Sequence, residues 1–216
     1  MDLALKEVTV RFGATTALEG LSRAFPQGSR TFVWGPAGSG KTTVLKCLAG
    51  LVEPSAGQVH WDGRRVDGLS RRDKRQRQRD LAMAFQTDAL FDSASVLDNV
   101  ALPLLRRGAL ANEATRRSRS VLRSLGLEGT EHLAPAALSG GMRKRVGLAR
   151  ALVAETPVLL ADDPLAGLDP ETARHVTAML DALDARRTLV VSQPERSTWL
   201  SGATELRLEP HAGAEP

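Results

Sequence analysis

Thr31-Phe32-Val33-Trp34-Gly35-Pro36-Ala37-Gly38-Ser39-Gly40-Lys41-Thr42 runs a short apolar strand into a glycine loop, and Val44, Leu45 and Leu48 continue it at helical spacing. Strand, glycine loop closing on Lys-Thr, and helix together make a phosphate cradle. The glycines let backbone N–H groups turn inward around a β-phosphate without Cβ clashes. The helix that follows adds its positive N-terminal end. On this reading Gly35, Pro36, Ala37, Gly38, Ser39, Gly40, Lys41, Thr42 and Thr43 form the binding run for ATP. Lys41 supplies a point charge to the β- and γ-phosphates, and the Thr42 hydroxyl ligates Mg2+. The loop alone does not separate kinases, GTPases, helicases and transport ATPases.

Outward from the loop, Leu3, Leu5, Val8 and Val10 give an imperfect strand alternation. Residues 58–61 and 64–66 flank Asp62-Gly63, a favoured hairpin turn. The middle, about residues 87–154, is mostly helical in pattern. Short buried strands return at 158–161, 188–192 and 205–208, and Asp169-Pro170 opens a helix between the first two. That helix carries the stripe Val176, Met179, Leu180 and Leu183. Buried strands alternating with helices predict an α/β fold, a parallel sheet covered by helices, with the helical middle inserted. One domain over residues 1–210 is expected, followed by a frayed tail at 211–216.

Composition narrows the classes further. With 216 residues, 42% hydrophobic and 25% charged, the chain has an ordinary globular balance. Its net charge of +4 fits phosphate ligands or an anionic surface and decides neither. Cys47 is the single cysteine, which excludes an internal disulfide and a thiolate zinc cluster and fits a reducing cytoplasm. His60, His132, His175 and His211 show no ligand spacing. The first residues lack the pattern of a signal peptide, and no stretch approaches the roughly 18 apolar residues of a membrane span. Work at a membrane therefore requires another chain to cross it. Residues 64–79 hold eight arginines and lysines against Asp67 and Asp73. They read as a solvated helix, and without an aromatic platform no nucleic-acid partner is expected.

A second motif chooses among the loop's possible classes. Leu138-Ser139-Gly140-Gly141-Met142-Arg143-Lys144-Arg145 opens a helix whose apolar face is Met142, Val146, Ala149 and Leu152. Bare N–H groups beside a serine hydroxyl form another anion site. A cradle so far along the chain makes sense if it caps the γ-phosphate held by another subunit. With these motifs in order, the chain resembles the ATP-binding cassette (ABC) ATPases over nearly its whole length. The resemblance implies a P-loop NTPase core of ABC type, with an N-terminal antiparallel β subdomain and an inserted α-helical subdomain. It implies that Phe12 stacks on adenine, and that Gln86, after a strand at 81–85, is the Q-loop glutamine near metal and water. Ser139, Gly140 and Gly141 become the signature that binds ATP in trans. Asp162 ends a Walker B strand, on Mg2+ or its water shell, and Ala166-Gly167-Leu168-Asp169 becomes the D-loop. The implied partners are a membrane permease and a second ABC subunit, identical or different. The implied location is cytoplasmic, peripheral at the cytoplasmic face of the inner membrane.

Two positions depart from the family pattern. Walker B there ends Asp-Glu, whereas this chain has Asp162-Asp163. Asp163 keeps the carboxylate that would polarise water, but withdraws it by about 1 Å. The switch histidine is replaced by Gln193, which donates a neutral hydrogen bond but lacks an imidazolium's charge. Lys41, Gln86, Asp163 and Gln193 are thus the catalytic set, and two outcomes stay open: slowed or degenerate hydrolysis, or ordinary turnover.

The signature helix, with Met142 after Gly-Gly, is similar to those of Mla- and Mce-type lipid-transport ATPases, as are residues 85–91 and 95–104. Leu90, Phe91 and Val96 would form an apolar groove for the permease, or else pack the helical subdomain. Lipoprotein-releasing or cell-division ABC ATPases are the alternative, as is a non-hydrolysing scaffold that binds ATP. The chain stops soon after residue 208, so contacts that relatives place in a C-terminal extension are not carried over.

Overall fold

The computed structural model describes residues 1–86 and 89–210; Thr87, Asp88 and the tail expected to fray, His211 included, lie outside the described residues. Contacts divide the chain into two compact units, one of Met1–Met83, Thr156–Asp163 and the chain from Leu180 onward, the other of Ala84–Glu155 and Pro164–Met179.

Along the first unit run β1 (Leu3–Phe12), β2 (Thr15–Phe25), β3 (Arg30–Trp34), α1 (Lys41–Leu48), β4 (Ala56–Trp61), β5 (Arg64–Arg65), α2 (Arg71–Gln78), most of β6 (Leu81–Ala84), β7 (Val158–Asp162), β8 (Thr188–Gln193) and β9 (Thr204–Arg207). An antiparallel sheet takes the order β2-β1-β4-β5, and a five-stranded sheet the order β6-β7-β8-β3-β9. In the second sheet β3 pairs parallel with β8 and β9, and β7 parallel with β8. This is the α/β cassette architecture expected from the sequence.

The uneven alternation in β1 has a physical cause. Leu3, Leu5, Val8 and Val10 are all buried, and the register with β2 shifts between Leu5 and Val8, where Glu7 has φ 51°. A bulge absorbs the extra residue and returns Val8 to the core face. β2 went unpredicted because its middle is largely open to solvent, with only Leu18 and Phe25 buried. At the β4–β5 hairpin Asp62 and Gly63 both have positive φ, the backbone that such a two-residue turn requires.

The core of this unit joins Leu5, Val8, Phe25 and Trp61 to Val44, Leu45 and Leu48 of α1 and to Val158, Leu160 and Val190 of the parallel strands. Each such side chain contributes about 1.5–3 kcal/mol on full burial. Trp61 satisfies its indole N–H on the Leu48 carbonyl at 2.8 Å. Burial pushes the Cys47 thiol up to about 12, so it is a packing residue and not a nucleophile. α2 buries none of its residues, as the charge run predicts, and is tied down by Arg77–Asp62 at 2.9 Å and Lys74–Glu53 at 3.3 Å.

The second unit contains α3 (Val96–Arg106), α4 (Ala111–Ser124), α5 (Gly140–Leu152) and most of α6 (Pro170–Asp181). For Val96 the structure favours the second of the two readings: it is fully buried and packs the helical subdomain, whereas Phe91 remains 47% exposed. The Phe91–Ser95 turn is organised by Asn99, itself fully buried. Its Oδ1 accepts from the Phe91 N–H at 2.8 Å, and its Nδ2 is shared among the carbonyls of Phe91, Ala94 and Ser95 at 3.0–3.2 Å. Asn99→Ala is expected to lower stability by roughly 2 kcal/mol, because it leaves partners unpaired. The measurement is the urea midpoint at unchanged m-value. No helix among the described residues is long and apolar enough to cross a membrane.

Candidate functional site

In the first unit the glycine loop leaves the end of β3 and enters α1. Two close approaches require its outer glycines. A Cβ on Gly35 would stand 2.2 Å from the Leu208 carbonyl oxygen, and one on Gly40, at φ 87°, 2.3 Å from that of Ala17. Between them Ser39 N–H donates to Pro36 O at 3.3 Å, and Pro36, Ala37 and Gly38 are exposed. Thr42 and Thr43 sit half-buried in the first turn of α1.

Lys41 folds back over the loop, its Nζ donating to Gly35 O at 2.6 Å and Pro36 O at 2.7 Å. Burial holds its ammonium below the usual lysine range, while Asp163 and Asp162 pull the other way. The ammonium is thus held by neutral carbonyls at the loop. Phosphate oxygens would replace these neutral acceptors with anionic ones, adding direct charge–charge attraction to bonds that the ammonium already makes as a charged donor.

Asp162 and Asp163 follow from the end of β7, whose register places Asp162 opposite Ser192 of β8. Ser192 Oγ donates to Asp162 Oδ1 at 2.5 Å, and the Asp163 N–H reaches Ser192 O at 3.1 Å and Ser192 Oγ at 3.0 Å. One hydroxyl therefore fixes two successive aspartates. Ser192 was not singled out in the sequence, although a serine ending the apolar run Leu189-Val190-Val191 is itself a signal. Asp162 is 2% exposed, and its second oxygen, Oδ2, has no hydrogen-bond partner. A buried carboxylate oxygen without a donor is costly unless a cation meets it. Asp162 and the Thr42 hydroxyl are the hard oxygen donors that suit Mg2+, which is bound by one or two carboxylates together with phosphates and water. Ser39 Oγ is likewise buried and unpartnered.

Asp163 has φ 46°, a left-handed backbone that aspartate adopts more readily than most residues. Gln193, 7% exposed, ends β8 with its Oε1 accepting from Trp199 Nε1–H at 3.1 Å. Phe12 ends β1 with 54% of its surface exposed, as a stacking platform requires.

The first unit thus holds Phe12, the glycine loop, Lys41, Asp162, Asp163 and Gln193, whereas Gln86, Ser139, Gly140 and Gly141 belong to the second. Gln86 is exposed. Ser139 caps α5, its Oγ accepting from the Met142 N–H at 3.3 Å. A Cβ on Gly141 would lie 3.5 Å from Gly167 O, so residues 166–169 pass beside this helix start. Asp169 caps α6: the Thr172 hydroxyl donates to it at 2.6 Å and the Thr172 N–H at 2.9 Å, which holds its carboxyl below the usual range.

Known proteins with this arrangement are numerous. The methionine import ATP-binding protein MetN of Rhizobium johnstonii is 37% identical over 187 residues, 87% of this chain and 52% of that protein. The Fe(3+) ions import ATP-binding protein FbpC of Brucella suis is 41% identical over 185 residues, 86% of this chain and 51% of that protein. The chain spans about half the length of these curated relatives. MJ0796, a bacterial ABC transporter cassette solved as a dimer, superposes with TM-score 0.89 at 30% identity, over 96% of this chain and 94% of its own. MJ0796 has also been solved in a dimeric post-hydrolysis state bound to ADP and Pi. The family model described as ABC transporter matches residues 18–166, more than half of the sequence, and the chain belongs to that family.

Proposed function

We propose that this chain is the ATP-binding subunit of an ABC transporter, with residues 1–210 acting as one cassette. Two cassettes would close on ATP, the glycine loop of each facing Ser139, Gly140 and Gly141 of the other, and would drive a separate permease from the cytoplasmic face of the membrane. The observation that carries the reading is the pairing of an ammonium held on the glycine loop with an unpartnered, buried Asp162 oxygen. The family membership and the dimeric MJ0796 support it.

In this reading Phe12 stacks on the adenine and Lys41 holds the β- and γ-phosphates. Thr42 and Asp162, with Gln86, are the side chains that would hold Mg2+ or its water shell. When bound, the metal supplies positive charge against the phosphates. Asp163 orients and polarises the attacking water, and Gln193 donates a hydrogen bond toward the γ-phosphate. Whether those two support fast turnover is the variable part of the mechanism, since one carboxylate is short and one donor is neutral.

The cargo belongs to the permease. The likeness of the signature helix to Mla- and Mce-type ATPases makes lipid the proposed cargo, and it alone carries that choice. MetN and FbpC are named for methionine and ferric ion and match this chain over half their own length.

The test is to isolate the native complex through a tag on this chain, identify its other subunits, measure MgATP turnover and extract bound lipid. An integral membrane chain and copurifying phospholipid are expected. Recovery with ribosomes or DNA in place of a membrane chain would overturn the transporter reading. Methionine or ferric ion bound to the complex would overturn only the lipid cargo.

A further inference from the structure

We infer that Trp199 is the positioning residue for Gln193, its indole N–H locking the side-chain amide so that the Nε2 donor is the end presented to phosphate. The inference rests on the nucleotide-binding reading above and adds to it a residue outside every motif.

A side-chain amide has an acceptor end and a donor end, and a phosphate oxygen only accepts. Gln193 is therefore useful toward a γ-phosphate in one of its two flip states and repulsive in the other. The indole N–H of Trp199 is a donor with no acceptor capacity, so the atom of Gln193 lying 3.1 Å from it is the carbonyl oxygen. With Oε1 taken, Nε2 is the remaining end, and among the described residues it donates to none. An imidazole at this position would carry one donor and one acceptor in the same sense. The tryptophan thus imposes on a symmetric-looking amide the polarity that a histidine has by its chemistry.

The lock is itself held. The Trp199 ring meets Phe32 edge-on at 5.1 Å and 82°, and Phe32 lies in β3, the strand that enters the glycine loop. The next residue, Leu200, is 3% exposed. Ser201 is bound twice by Asp181, N–H to Oδ1 at 2.7 Å and Oγ to Oδ2 at 2.9 Å, and Asp181 is paired with Arg30 at the start of β3 at 2.8 Å. β3 and β8 run parallel in register, with Trp34 opposite Gln193. The segment bearing Trp199 is thereby hydrogen-bonded and packed onto the same strand that enters the phosphate loop.

The experiment compares the affinities of the full chain for a β,γ-imido ATP analogue with Mg2+ and for ADP. It uses wild type, Trp199→Phe, Gln193→Ala and the double variant. Phenylalanine keeps a ring against Phe32 and removes only the donor. Trp199→Phe is expected to reduce the preference for the triphosphate by about fivefold, the usual worth of one net hydrogen bond. Gln193→Ala should lose at least as much, and the double variant no more than Gln193→Ala alone. An unchanged preference in Trp199→Phe, or losses that add in the double variant, would overturn the inference. A second readout needs no nucleotide: the Trp199 indole 1H–15N resonance should shift when Gln193 becomes alanine, and an unshifted resonance also overturns the lock. A shifted indole in a chain that binds no nucleotide sinks the ATP reading and the phosphate role built on it. An unshifted indole with normal triphosphate preference sinks only the part assigned to Trp199.

Discussion

Lys41→Ala is expected to weaken binding of ATP with Mg2+ by about a hundredfold or more, measured by titration calorimetry. The argument starts from the two carbonyls that the ammonium now occupies, Gly35 O and Pro36 O. Hydrogen bonds to charged groups are worth about 1.5–3 kcal/mol each. In the nucleotide complex the ammonium faces phosphate oxygens instead of the two carbonyls, and losing two such charge-assisted bonds removes roughly 3 kcal/mol, two decades in affinity. The cost to the fold is smaller, because Pro36 is exposed and its carbonyl can turn to water. Lys41→Arg is expected not to rescue, since a planar fork cannot replace a point charge where two loop carbonyls crowd the head group. Binding within threefold of wild type in Lys41→Ala would mean that the ammonium does not face the phosphates, and the glycine loop would lose its assigned role.

How much of this was legible depended on the range of the interaction. The phosphate loop could be read because its causes are local: β3 is apolar from Phe32 to Trp34 straight into the loop, and the glycines and Lys-Thr follow in sequence. β7 and β8 were legible for the same reason, being buried on both faces. β2 was not, because its buried positions are too few to set a period of two. For Val96 the sequence left groove and core both open, because an apolar residue at a helix start looks the same whether it faces solvent or core. Asn99, Ser192 and Trp199 escaped notice because their roles are set by folding. Ser192 lies 30 residues from the Asp162 carboxylate it grips, and Trp199 matters only once Phe32 stands beside it. The cargo was least legible, since no residue assigned to the nucleotide site has to touch it.

Asp163→Glu combined with Gln193→His is expected to raise the MgATP turnover of the purified complex by roughly tenfold to a hundredfold, with nucleotide affinity little changed. The glutamate restores the missing methylene and carries the carboxylate about 1 Å further toward the attacking water. The histidine fits the contact already present: a neutral imidazole can accept from the Trp199 indole at one nitrogen and donate toward the γ-phosphate from the other. The fold opposes the change modestly. Asp163 sits at φ 46°, where glutamate is less at ease than aspartate, so the double variant should also be less stable by roughly 1 kcal/mol. Faster turnover with a slightly lower urea midpoint is therefore the expected joint signature. Turnover above about one per second in the wild-type complex, unmoved by the double substitution, would show that Asp163 and Gln193 already suffice. In that case the carboxylate's reach is recovered by closure of the dimer and the departures from the family pattern carry no kinetic penalty.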